Sequence, residues 1–181
     1  MSKTLQEPVA AAPSVTEPVV RSLAARRALA VLRIMFGFYF LWAFLDKTFG
    51  LGFSTPAERA WINGGSPTKG FLSGVEGPFA GVYHAIAGNG FVNVLFMVGL
   101  LGIGLALTLG IGMRVAAVTG SLLYVLMWTA ALPMVTNPII DDHITGAMTL
   151  IVLALTAAGT AWGLGTWWAN LPVVQKNRWL I

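Results

Sequence analysis

Four long apolar stretches, at about 28–45, 91–109, 115–134 and 139–162, alternate with short polar or glycine-rich breaks. A helix needs roughly 20 mainly apolar residues to cross the hydrocarbon core of a bilayer, and each stretch is near that length. The third and fourth are separated only by Val135, Thr136, Asn137 and Pro138. The second and third meet at Gly110-Ile111-Gly112-Met113-Arg114. Links this short join antiparallel neighbours. The pattern therefore predicts an all-α fold, an integral membrane antiparallel four-helix bundle over residues 21–165. Residues 1–20 form a polar, proline-bearing tail that reads as disordered, and residues 166–181 an interfacial tail. The first apolar stretch is too long for a secretory signal and no small-residue cleavage site follows, so it is expected to be kept as an anchor.

Between the first and second stretches lies a longer segment, 46–90, rich in Gly and Pro. Two short interfacial helices are expected there. Thr55 can cap a first one, with Pro56 at its first position, Glu58 returning a hydrogen bond, and Gly64-Gly65 ending it. A second, from Pro78 to Ala87, would place Phe79, Val82, Tyr83 and Ile86 on one face.

Composition sharpens this picture. The chain has 181 residues, of which 56% are hydrophobic and 10% charged, and its mean hydropathy is +0.76. Cysteine is absent, which excludes disulfides, thiolate metal sites, iron–sulfur clusters and a cysteine nucleophile. Two histidines give little basis for a metal site, and none is expected. The pI near 9.9 does not point to nucleic acid, because the charges sit at the ends of the apolar stretches. With four crossings, Lys3, Arg21, Arg26, Arg27, Arg33, Arg114, Lys176 and Arg178 share one side with Glu7 and Glu17, a balance of +6. Lys47, Arg59 and Lys69 share the other with Asp46, Glu58, Glu76, Asp141 and Asp142, a balance of −2. The positive-inside rule then puts both termini in the cytoplasm of a bacterial-type plasma membrane.

Two constellations carry candidate chemistry. Arg33, Gly37, Phe40, Phe44 and Lys47 fall on one narrow stripe of the first helix, with a cation at each end. Arg33 is expected to snorkel to the inner surface, and Lys47 either snorkels outward, pairs with Asp142 or serves a site. The second constellation is Asn137-Pro138-Ile139-Ile140-Asp141-Asp142-His143. One reading is a helix start, with Asn137 as cap, Pro138 first in the helix and the aspartates facing the positive end of its dipole. The other is proton chemistry, since ionisable groups at membrane depth pair, line wet cavities or move protons. Gly102, Ala106 and Gly110, then Ala116 and Gly120, then Gly146, Thr149, Thr156 and Thr160 read as packing stripes.

With Leu32-Arg33-Ile34-Met35-Phe36-Gly37, Phe44-Leu45-Asp46-Lys47, the Gly110–Arg114 turn and the Asn-Pro and Asp-Asp-His group in this order, the chain resembles the DoxX/DoxD family of small four-helix membrane proteins over about 28–161. The DoxD-type members are the large subunits of thiosulfate:quinone oxidoreductase, which oxidises thiosulfate to tetrathionate and reduces quinone. The resemblance implies quinone as a diffusible acceptor and a small DoxA-like or other redox subunit as partner; the composition gives no sign of a metal or tightly bound cofactor, and the apolar stretches make the lipid bilayer the other partner. For quinone reduction the residues offer Lys47, Asp142 and His143 as catalytic candidates, with Lys47 or Tyr83 donating to a quinone oxygen, His143 delivering protons and Asp142 orienting it or relaying protons onward. Phe40, Phe44 and Trp128 would flank the quinone ring, and Arg59 and Lys69 would draw in the anionic substrate. The rival reading is a non-catalytic anchor or scaffold of a redox complex.

Overall fold

The computed structural model describes residues 19–135 and 137–181, so the tail expected to be disordered lies outside the described residues except for its last two positions. Among the described residues the chain is helical, without a strand. The first apolar stretch forms α1, Leu23–Phe49. Ser22 starts it by accepting from Ala25 N–H at 3.3 Å, and Gly50 ends it in the left-handed conformation, φ 67°, where a Cβ is costly. The segment between the first and second apolar stretches holds two 3₁₀ turns, Ala57–Arg59 and Trp61–Asn63, then α2, Lys69–Leu72, and α3, Ala80–Ile86. The second stretch is α4, Gly90–Leu109, capped by Asn89 and closed by Gly110. The third is α5, Met113–Ala130, which stops short of 134 with Pro133 just beyond it.

α1, α4 and α5 are long and apolar enough to cross a membrane, and the chain reads as a multi-pass membrane protein. The fourth stretch does not form one long helix. Its regular part, α6, is Asp142–Leu155, and 14 residues rise only about 21 Å against a core of roughly 30 Å. Both boundaries have local causes. The Asn137 carboxamide accepts from Ile139 and Ile140 N–H, each at 2.9 Å, which makes a separate turn before the helix. At the far end Ala157 adopts φ 51°, and a 3₁₀ turn, Ala158–Thr160, follows. Short helices α7, Gly165–Ala169, and α8, Pro172–Lys176, complete the chain.

α1 packs along α4, and α5 along α6. Glycines set the close approaches. A Cβ on Gly37 would lie 2.7 Å from the Thr108 backbone nitrogen, and one on Gly104 would lie 2.7 Å from Leu41 Cγ. Gly120 faces Leu150, and Gly146 faces the Tyr124 ring. Gly102, expected in the packing stripe, looks onto open space; its neighbour two residues on makes the contact instead. The core contains Phe40, Met97, Leu100, Ile103, Leu107, Tyr124, Leu150 and Leu153.

At the opposite end from the 46–90 segment, Arg33 does not snorkel. It is fully buried, and its guanidinium donates to the carbonyls of Leu107, Thr108, Ala161 and Trp162. The first two are carbonyls that the end of α4 leaves without helical partners. One charge thus ties α1, the C-terminus of α4 and the chain after α6 together. Leu164 N–H adds a bond to Leu109 O at 2.8 Å. The C-terminal tail folds back on the start of α5, where Arg114 donates to Arg178 O at 2.9 Å and its N–H to Ile181 O at 2.9 Å.

Candidate functional site

The stripe read on the first helix is its inward side: Arg33, Gly37 and Phe40 are buried, and Phe44 and Lys47 half-buried. Beside its C-terminal half runs an apolar groove of about 700 Å³, within the size range of small-molecule sites. α1 contributes Met35, Phe38, Tyr39, Phe40, Trp42 and Lys47, α4 contributes Phe96 and Leu100, and α5 contributes Leu123, Tyr124 and Met127. Phe53 closes the Lys47 end, with its ring 5.0 Å from that of Trp42 at 82°.

Phe53 is held there by Asp46. This carboxylate is 1% exposed and accepts from Phe53 N–H at 3.2 Å, Ser54 N–H at 3.0 Å and the Ser54 hydroxyl at 2.7 Å. With those donors Asp46 is satisfied internally and fixes the return of the chain after α1. Its neighbour Lys47 makes no hydrogen bond or ion pair among the described residues. It does not pair with Asp142. An aromatic groove with one cation at its end can hold an apolar molecule with an electron-rich head.

The residues expected to work together are divided among several places. Lys47 and Phe40 line the groove. Phe44 packs against the core beside it. His143 lies behind the groove wall, its ring centroid 6.2 Å from that of Tyr124, whose other flank meets Phe40 at 5.4 Å. Asp142 is exposed and does not hold His143. Asp141 does: one of its oxygens accepts from His143 and Ile144 N–H at 3.0 and 3.1 Å, and the other lies 2.5 Å from His143 Nδ1. Asp141, rather than Asn137, is therefore the helix cap. Burial alone would raise the Asp141 carboxyl, but these hydrogen bonds and the histidine charge outweigh it and hold it below the usual carboxylate range.

Tyr83 and Trp128 are occupied elsewhere. The Tyr83 hydroxyl donates to Leu126 O at 2.8 Å and meets Thr129 Oγ1 at 2.5 Å, inside a second small core with Leu72, Val75 and Ala130. Of the four residues expected on the apolar face of α3, only Tyr83 and Ile86 pack there, while Phe79 and Val82 stay exposed. Trp128 Nε1 donates to Ile139 O at 2.8 Å, tying the end of α5 to the segment before α6. Arg59 and Lys69 do come together. With Glu58, Ser66 and Ser73 they line a shallow recess of about 410 Å³ in the 46–90 segment. That segment is anchored to α4 by buried Asn93, which accepts from Ser66 at 3.0 Å and Thr68 at 2.6 Å.

The sequence reading missed Tyr124, Trp42 and Phe53 in the groove. Trp42 lies on α1 beside the stripe, and an aromatic residue every turn was its visible signal; nothing local marked Phe53 or Tyr124. Among the described residues no cluster of metal-ligating side chains is present. Compared with known proteins, the chain matches no family model, no curated protein and no solved structure.

Proposed function

We propose that this protein is the membrane subunit of a quinone-linked oxidoreductase of the thiosulfate:quinone type, as its motif resemblance to DoxX/DoxD proteins implies. It would lie in a bacterial-type plasma membrane with both termini cytoplasmic, α6 and the chain after it completing a four-helix bundle. The groove takes the quinone from the lipid, and the Arg59–Lys69 recess draws the small sulfur anion to the outer face. Two thiosulfates joined as tetrathionate release two electrons, and the quinone takes these up with two protons. A small DoxA-type partner fits this scheme as the subunit that handles the anion.

The observation that carries the reading is Lys47, half-buried at the end of an aromatic groove without an ion-pair partner among the described residues. A half-buried ammonium is costly unless something compensates it; the neighbouring Asp46 carboxylate contributes charge without contact, and a ligand oxygen would supply the contact. A second reading, a non-catalytic anchor, is favoured by one finding: Asp142 and His143 are not among the groove's lining residues. Thiosulfate-dependent reduction of a soluble quinone analogue by the purified protein, alone and with a co-expressed partner, separates the two. The oxidoreductase reading expects turnover that Lys47→Ala abolishes in a folded protein. Turnover unchanged in Lys47→Ala would remove Lys47 from the chemistry and overturn the observation that carries this reading, and no turnover under either condition supports the anchor.

A further inference from the structure

Two groove tyrosines, Tyr39 and Tyr124, have hydroxyls without a hydrogen-bond partner among the described residues, and Tyr124 is the one of the two whose ring is buried, Tyr39 being 63% exposed. Tyr124 is 6% exposed and lines the groove. Its ring is wedged from several sides. A Cβ on Gly146 would come within 2.8 Å of Tyr124 Cζ, and the Phe40 and His143 rings flank it at 5.4 and 6.2 Å. Among the described residues its hydroxyl has no hydrogen-bond partner. The oxygen is not sealed off either, since among the described residues the fully buried side-chain atoms without partners are Arg33 Nε and Thr108 Oγ1. A phenol buried in a core normally finds a partner, as Tyr83 does.

From this geometry we infer that Tyr124 is the hydrogen-bond donor of the groove, directed to a carbonyl oxygen on the head of an apolar ligand, and that Gly146 is the positioning residue that lets the ring sit there. Lys47 stands seven residues beyond Phe40 on α1, about 10 Å further along the helix axis. The groove therefore offers a deep neutral donor and a cation at its mouth, which suits a ligand with acceptor oxygens over a plain hydrocarbon. The inference rests on the reading of the groove as a ligand site.

The test is calorimetric titration of the full chain in detergent with decylbenzoquinone, and with decylbenzene as a probe lacking acceptors. Tyr124→Phe keeps the ring and removes only the hydroxyl. It is expected to weaken decylbenzoquinone binding about 3- to 10-fold, the worth of one hydrogen bond, and to leave decylbenzene binding and the melting temperature unchanged. Wild-type binding retained in full by Tyr124→Phe would overturn the role of Tyr124 while leaving the groove reading intact. No binding of decylbenzoquinone by the wild type would overturn the groove reading, and the inference with it. Gly146→Ala, which keeps the hydroxyl but displaces the ring, is expected to weaken the quinone probe as well.

Discussion

Single residues decide the two ends of this molecule. Arg33 serves four carbonyls with one guanidinium. Removing it would leave buried acceptors unsatisfied, at about 1–3 kcal/mol each. Arg33→Leu is expected to cost at least about 3 kcal/mol, read as a lowered unfolding midpoint in detergent. Arg33→Lys should recover little, because a point charge cannot span the carbonyls that a planar fork reaches. None of this was legible in the sequence. A lone arginine at a helix end looks the same whether it snorkels or turns inward, and its acceptors are backbone groups more than 70 positions away, which leave no mark in the residue types. Asp141 is a different case. The acidic pair at the helix start was visible, but Asn137-Pro138 is an equally good start signal one turn earlier, so the cap was misplaced. Because the Asp141 carboxyl is held low in the fold, its contribution is present above the ordinary carboxylate pKa near ~3.9 and fades as pH falls through the depressed folded value. Asp141→Ala should cost about 1 kcal/mol near neutral pH, and thermal melts of mutant and wild type should converge toward low pH. A gap that stays constant as pH falls would contradict this account of the cap.

Among the elements, the pairing of α1 with α4 depends on how closely their backbones approach. Gly37 meets Thr108 and Gly104 meets Leu41 at distances no Cβ tolerates. Gly37→Ala is expected to destabilise the pair by about 1–3 kcal/mol, as overpacking does. Gly102→Ala, into open space, should be neutral or slightly stabilising, since alanine is the better helix former. Equal effects from the two substitutions would contradict the packing described. Three of the four apolar stretches were legible because hydropathy over roughly 20 residues is a strong signal. The fourth misled because its apolar composition runs on past Leu155 while its backbone does not. Gly159 lies against Gly110, where a Cβ would sit 2.3 Å from Gly110 O, and the chain leaves the helix to make that contact. The groove was half legible. The period of α1 gave Phe40 and Lys47, whereas Phe53 and Tyr124 arrive from a loop and from α5 through tertiary packing.

For the molecule as a whole, the arrangement has two unlike ends. One joins Arg33, the α4–α5 turn and the folded-back C-terminal tail. The other carries the 46–90 segment with Lys47 and the Arg59–Lys69 recess, and the Asp141–His143 pair. The chain has no native cysteine, so single introduced cysteines report sidedness directly. Ser22→Cys and Gln175→Cys are expected to label from one face of the membrane, and Ile140→Cys from the opposite face. Labelling of Ser22→Cys and Gln175→Cys from opposite faces would mean that α6 and the chain after it do not complete a fourth crossing. The groove between α1, α4 and α5 is the site proposed for quinone. Photo-crosslinking of membranes with an azido-quinone, followed by peptide mapping, tests it most directly. The account predicts label on the α1 segment around Phe38–Lys47 and on α5 around Tyr124, displaced by excess unmodified quinone and reduced by Lys47→Ala. Label confined to the outward faces of α4 and α5, or unaffected by competing quinone, would contradict it.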